Sequence, residues 1–517
     1  MPAKTIGKAN AALDERLGTQ QFLQKSLDHI FPDNWSFMLG EIAFYCFLIL
    51  VITGVWLAFF FDPSDTVVIY QGPYSPLHGQ SMSAAYQSAI DLSLDVHAGL
   101  LIRQIHHWAA DLFIAAIICH LARIFFTGAF RKPREINWLV GVTLLLLSIF
   151  NGFTGYSLPG DLMSGLGLRI GYSVAESVPV IGNWLAYLFF AGQFPSSELT
   201  HRLYLLHVFV VPLLIFGLLG IHLGLIWHQK HTQFPGAGRS EKRLVGSQLW
   251  PTYAFRSIAL LCAVAGTLCL LGGLVQINPI WEYGPYHPYA ASSFAQPDWY
   301  TGWMEGALRL MPRWRLHLFG WTVSEVFWPA VFVPVMTFVV LGAWPFLERW
   351  WTGDRLYHNL LDRPRDRPGR TAVGVAAFTF YAVLTVAGAQ DVLAYYLNMQ
   401  QAPVTFGLRG LLIGLPVIAG LAAWKACRDV RGVTPAAVEP PKGQADSATP
   451  PPSGYLPERA AWQAADTGRV RRPSDPPSGR VWPVLAAAAA GGGAAMAWVA
   501  SRRDRKPGRA PGRRRRR

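Results

Sequence analysis

The chain has 517 residues, 52% of them hydrophobic and 15% charged, a balance that points away from a soluble or disordered protein and toward several membrane spans. Its formal net charge of +14 comes with no nucleic-acid recognition motif, so nucleic acid is excluded as a partner. The five cysteines lie within or at the ends of apolar runs and form neither C-x-x-C nor C-x-x-C-H, which argues against zinc, iron–sulfur and covalent haem attachment.

Residues 1–36 read as a cytoplasmic N-terminal amphipathic segment, because the first apolar run lies too deep in the chain and is too long for a cleaved signal. Eight runs long enough to cross a bilayer follow, at about 37–61, 104–126, 138–156, 203–227, 254–276, 324–347, 373–396 and 407–427. The expected fold is an all-α integral membrane protein: a four-helix bundle in 37–250 and four further helices in 251–427. From 428 to 517 the composition turns to Pro, Ala, Gly and Arg and reads as a disordered cytoplasmic tail. Within it, Val481–Ala500 reads as a surface segment, since a ninth span would carry the final arginine run outside. That basic end is suited to anionic membrane lipid.

Loop charges set the orientation. With the N-terminus inside, the inner loops hold thirteen Lys and Arg and the outer loops four, a positive-inside bias. The second and fourth spans then run inward.

Four histidines stand on those two spans. His106 and His120 are fourteen residues apart, and His207 and His222 fifteen. On a helix either spacing is roughly 21–22 Å and nearly a whole number of turns, so both rings of a pair share one face. Two such helices side by side offer two His–His pairs, one near each face, the geometry of two bis-histidine haems. A lone intramembrane histidine is more often a helix–helix hydrogen bond. Two pairs in matching register weigh against that. Gly40 and Gly54 on the first span and Gly141 and Gly155 on the third repeat the fourteen-residue spacing. Glycine permits close approach of a bulky group, with small-residue helix packing as the alternative reading. The opposite directions of those spans assign Gly54 and Gly155 to the outer pair, Gly40 and Gly141 to the inner.

Arg103 and Arg123, each three residues from a candidate ligand, suit haem propionates, or else snorkel to the interface. Arg202 has similar standing. His107 points about 100° from His106 and cannot share its haem. His228 and His231, at the inner end of the fourth span, could bind a quinone carbonyl or simply face water. In the outer loops stand Gly155-Tyr156-Ser157-Leu158-Pro159-Gly160, the Gly165–Gly167 segment, and Gln296-Pro297-Asp298-Trp299-Tyr300, which alone reads as a turn or helix cap.

In this order, RQIHHW, GYSLP, LLHVFVVP and PDWY resemble cytochrome b of the quinol–cytochrome c reductase (bc1) family, over about residues 30–427. The runs KHTQFPG, QPDWY and WTGDRLYHNLLDRPRD look most like the actinobacterial subunit. The resemblance implies two haem b groups on the four histidines, menaquinol as substrate, and an outer site in which Asp298 and Tyr300 are catalytic and Pro297, Trp299 and Gly167 bind quinol. It also implies a Rieske iron–sulfur subunit, a cytochrome c subunit, a cytochrome c oxidase in a supercomplex, and a homodimer in the cell membrane. The chain departs from the pattern in three places. Asp298 replaces the usual Glu, Glu305 stands where many relatives have Tyr, and the fifth span starts with Arg256 and Ser257 instead of an acid. Two rivals remain, a b-type haem anchor of a dehydrogenase or hydrogenase, and a transporter whose histidines relay protons.

Overall fold

The computed structural model describes Asp14, Arg16 and residues 26–292, 296–318, 320–433 and 455–457. Eight helices among them are long and apolar enough to cross a membrane: Trp35–Ala58, Gly99–Thr127, Glu135–Ser157, Leu199–Gln229, Leu249–Leu274, Trp328–Thr352, Pro368–Gly388 and Gln401–Val430. The fold is that of an all-α membrane protein. The seventh span is shorter than its apolar run, because the helix breaks at Ala389 and a separate turn, Gln390–Tyr396, follows. The break sits where Gly388 meets Gly302; a side chain there would stand 2.5 Å from the Gly302 carbonyl.

Residue 250 is not a packing boundary. Val264 and Leu268 of the fifth span lie in the same buried core as Cys46, Ala109, Leu145 and Ile215 of the first four. The fifth span comes this close because Gly272 has no side chain; a Cβ there would meet Ile105 at 2.7 Å. A second core joins the seventh and eighth spans to a short helix, Gly302–Leu310, through Trp303, Leu310, Leu384 and Leu408.

The outer connections are folded. Ala84–Leu94 is capped by Ser83, and Leu162–Glu176 by Asp161, whose carboxylate accepts from the Met163 and Ser164 amides. At the inner face, Arg370 is buried between Glu348 and Asp362, and Asp362 also meets Arg131 at 3.4 Å. Arg134 reaches the His358 carbonyl at 2.7 Å and Asn359 Oδ1 at 2.8 Å. These contacts pin the WTGDRLYHNLLDRPRD segment to the loop between the second and third spans.

Two features at the termini add to the expectations from sequence. The N-terminal segment is not only amphipathic surface: Ile30–Phe31 pairs antiparallel with Ser247 and Gln248. The tail is not structureless from residue 428, since the last helix runs on to Val433 and Tyr455–Pro457 pairs in parallel with Leu244–Gly246. No proline interrupts the chain between Pro416 and Val433, so the helix runs past its apolar stretch. Val481–Ala500 lies outside the described residues.

Candidate functional site

The second and fourth spans bring their histidines face to face at two levels. The His106 and His207 ring centres are 6.3 Å apart, and those of His120 and His222 are 6.4 Å apart, with interplanar angles of 72° and 73°. An imidazole nitrogen lies roughly 1.1 Å from its ring centre and about 2.0 Å from a bound metal, so two rings on one ion stand about 6.2 Å apart. Both crossings fit that span. Among the described residues no three His, Cys, Asp or Glu side chains converge as a metal site. A metal held by either pair would take its other ligands from outside these side chains, as the iron of a bis-histidine haem does.

Unequal sequence spacings give equal crossings because the fourth span is not uniformly α-helical. Leu206–Val210 forms a single π turn at His207, which takes up one extra residue. Orientation is fixed from behind at the outer level. Thr53 Oγ1 lies 2.8 Å from His106 Nδ1, and the Asn151 carbonyl 2.9 Å from His207 Nδ1, leaving Nε2 of each ring for a metal.

Each of the four spaced glycines faces one of these rings. An added Cβ would stand 3.2 Å from His106 at Gly54, 2.3 Å from His207 at Gly155, 3.1 Å from His120 at Gly40 and 3.7 Å from His222 at Gly141. The two arginines present unused donors. Arg103 gives Nη2 to the Asn278 carbonyl at 2.9 Å, while its buried Nε meets no acceptor among the described residues. Arg123 lies over the Phe37 ring at 4.0 Å, with Nε and Nη2 both buried and unpartnered. Such donors suit propionate carboxylates. Arg202 instead bonds the Tyr187 and Leu188 carbonyls. The residues present fit a porphyrin at each level.

One cavity connects the outer histidines to the PDWY segment, lined by Gly54, His106, Gly155, His207, Asp298 and Tyr300. Asp298 does not cap the following helix; Thr301 holds that position, without a side-chain hydrogen bond. The carboxylate instead accepts from His107 Nε2 at 3.1 Å and from the Tyr300 hydroxyl at 2.8 Å. Burial pushes its pKa up, but His107 and the two hydrogen bonds outweigh this and hold it below the usual carboxylate value. Tyr300 is raised well above an ordinary phenol by burial and by Asp298 and Asp111, so it stays a donor. Gly152 makes room for it, since a Cβ there would stand 2.4 Å from the hydroxyl. Trp299 packs beside the main core, while Pro297 is partly buried just ahead of Asp298. Gly167 lies on the Leu162–Glu176 helix with open space where its side chain would be.

The sequence reading missed His107 and Asp111 as members of this site. Its one available signal was the His106–His107 doublet, which places a second titratable ring at the same level. Asp111 is one turn on and lies beside His107, Asp298 and Trp299.

At the inner face, His231 and His228 separate. His231 packs on Phe31 at 4.6 Å and on His29 at 6.2 Å. Burial, helped by His29, Arg134 and Arg123, pushes its pKa down to about 3, so it is neutral at physiological pH. His228 is exposed.

A helical bundle with paired histidines at two levels, the outer pair opening into an apolar cavity that reaches one carboxylate, is of the class of membrane electron carriers. The family model described as cytochrome b (N-terminal)/b6/petB matches residues 111–285. The cytochrome bc1 complex cytochrome b subunit of Mycobacterium tuberculosis is 50% identical over 417 residues, covering 80% of this chain and 76% of the relative. That of Streptomyces coelicolor is 45% identical over 433 residues, covering 82% and 79%. A solved structure titled "Hyperthermophilic respiratory Complex III" shares the fold, with a TM-score of 0.61 at 19% identity over 80% of this chain and 98% of that one. This chain belongs to the family of cytochrome b subunits of the cytochrome bc1 complex, multi-pass membrane proteins of respiratory electron transport that hold haem b.

Proposed function

We propose that this chain is the membrane core of a menaquinol:cytochrome c oxidoreductase, oxidising quinol at the outer face and reducing quinone at the inner face with net proton movement. The observation that carries it is the pair of equal histidine crossings, the outer one opening into the cavity that holds Asp298. His106 and His207 would hold an outer haem b, and His120 and His222 an inner one. Bound there, the two groups supply reversible one-electron transfer across the bilayer.

The chain's own residues supply the rest. Gly40, Gly54, Gly141 and Gly155 leave clearance for the rings, and Arg103 and Arg123 offer their free donors to propionates. Asp298, anionic because His107 and Tyr300 stabilise its charge, accepts a proton from quinol in the outer cavity. A low pKa means it does not keep that proton, which favours onward release. Pro297 and Trp299 shape the approach to it. Neutral His231 presents a ring nitrogen to a quinone carbonyl at the inner face.

The partners of this reading are a Rieske iron–sulfur subunit, a cytochrome c subunit, a second copy of the chain and an associated cytochrome c oxidase. The chain lies in the cell membrane with both termini cytoplasmic. The test is a reduced-minus-oxidised spectrum of the purified complex with each histidine replaced in turn. Loss of one b-haem signal is expected from His106 or His207, and loss of the other from His120 or His222. Two intact signals in all four variants would refute the assignment.

A further inference from the structure

Three hydroxyls from two spans converge on one carboxylate, Glu41, near the inner end of the first span. Tyr253 donates to Oε1. Ser257 donates to Oε2 at 2.5 Å, and Tyr45 lies 2.5 Å from Ser257 Oγ and 3.4 Å from Oε2. An ionisable group in a span is costly unless partnered, and such groups mark proton and ion routes.

Its surroundings indicate what it serves. Glu41 follows Gly40, the residue that abuts the His120 ring, so its backbone lies at the level of the inner histidine pair while its side chain turns toward the fifth span. Tyr253, which bonds it, stacks on Phe31 at 4.3 Å, and Phe31 in turn packs on His231. His29 stacks on Trp227 at 4.4 Å in the same group. These rings form one aromatic cluster beside Glu41. Toward the inner end, Asp33 pairs with Arg256 and accepts from Ser247 at 2.8 Å. The fifth span lacks the acid that the family resemblance leads one to expect, and its Ser257 is bonded to an acid from the first span instead.

We propose that Glu41 supplies a proton to quinone at the inner face, a role that rests on the inner-face reading above. Reduction of one quinone to quinol takes two protons and two electrons, which a haem held by His120 and His222 would supply one at a time. As one quinone oxygen takes up a proton, the carboxyl O–H bond of Glu41 breaks and an O–H bond forms on the quinone. Glu41, left as carboxylate, regains a proton from the inner aqueous phase, which also provides the second proton. The hydroxyls of Tyr253 and Ser257 hold the carboxylate until it is reprotonated. A plain tie between the first and fifth spans would need the hydrogen bonds but not the acid.

The variant Glu41→Gln separates the two roles, since it can still bond hydroxyls but has no proton to give. The purified complex is reduced, mixed with 2,3-dimethyl-1,4-naphthoquinone, and followed by inner-haem reoxidation and by infrared difference spectroscopy. Reoxidation is expected to slow about a hundredfold. A carboxyl band present in the wild-type difference spectrum should vanish in Glu41→Gln and persist, shifted, in Glu41→Asp. Should Glu41→Gln fail to assemble, Tyr253→Phe removes one bond to the same carboxyl and should move that band. A wild-type rate with an unchanged spectrum in Glu41→Gln, or an unmoved band in Tyr253→Phe, overturns the proposal alone. A wild-type inner haem that the quinone cannot reoxidise overturns the proposal and the inner-face reading together.

Discussion

His107 and Asp298, 191 residues apart in the chain, meet at 3.1 Å, with the imidazole donating to the carboxylate. Because His107 follows His106 on one helix, the outer histidine crossing and the partner of Asp298 are parts of a single rigid element. On the proposed function, the electron and proton acceptors for quinol would thereby be set at a fixed separation.

Replacing Asp298 with Asn removes the acceptor and keeps the shape. Quinol oxidation is expected to fall about a hundredfold while both haem bands remain. Steady-state turnover beside an optical spectrum checks this; undiminished turnover with the same pH profile would leave Asp298 without a proton-accepting role.

His107→Gln tests the electrostatics. The folded-state pKa of Asp298 is lowered, so its anion persists until pH drops below the usual carboxylate range. Without His107 the burial contribution is no longer outweighed, and the pKa rises. The acid limb of the quinol-oxidation profile should then move to higher pH, with activity lost sooner on acidification. An acid limb in its original place would show that His107 does not set the charge of Asp298.

The glycine clearances predict an order of damage. At Gly155 an added methyl would stand 2.3 Å from His207, whereas at Gly141 it would stand 3.7 Å from His222. Gly155→Ala should cost about 1–3 kcal/mol and lower outer-haem content, while Gly141→Ala leaves the inner haem bound. Haem-to-protein ratios for the two variants decide, and equal losses would mean that ring contact is not the cause.

Arg370→Ala should destabilise the inner face by about 3–5 kcal/mol, because it leaves Glu348 buried without its cation, while Asp362 keeps Arg131 and Arg367. Thermal unfolding in detergent measures this. A change within about 0.5 kcal/mol would place the pair among the energetically neutral contacts.

The spans were legible because each is a long apolar run, and the histidine levels because helical geometry converts spacing into height and face. The seventh span ends earlier than its apolar run, at Gly388, which lies against Gly302, a contact invisible in a local window. The same limit hid the role of His107. Helical geometry says that its ring turns away from the haem, but not that a residue 191 positions on is waiting for it. Residue 250 looked like a boundary because the histidines end before it, yet Val264 and Leu268 return to the first core. Glu41 escaped notice because its partners lie on the fifth span, more than 200 residues away.

The π turn at Leu206–Val210 has a consequence for how this span tolerates change. One additional residue in a regular helix rotates everything beyond it by about 100°. Here the surplus is confined to one wide turn, so the span has one length counted in residues and another counted in rungs. Chains with fourteen or fifteen steps between the two histidines can build the same ladder. Within this span, residues 208–210 are accordingly the place where a single-residue deletion does least harm, since it would return the turn to ordinary α-helix and leave both crossings aligned.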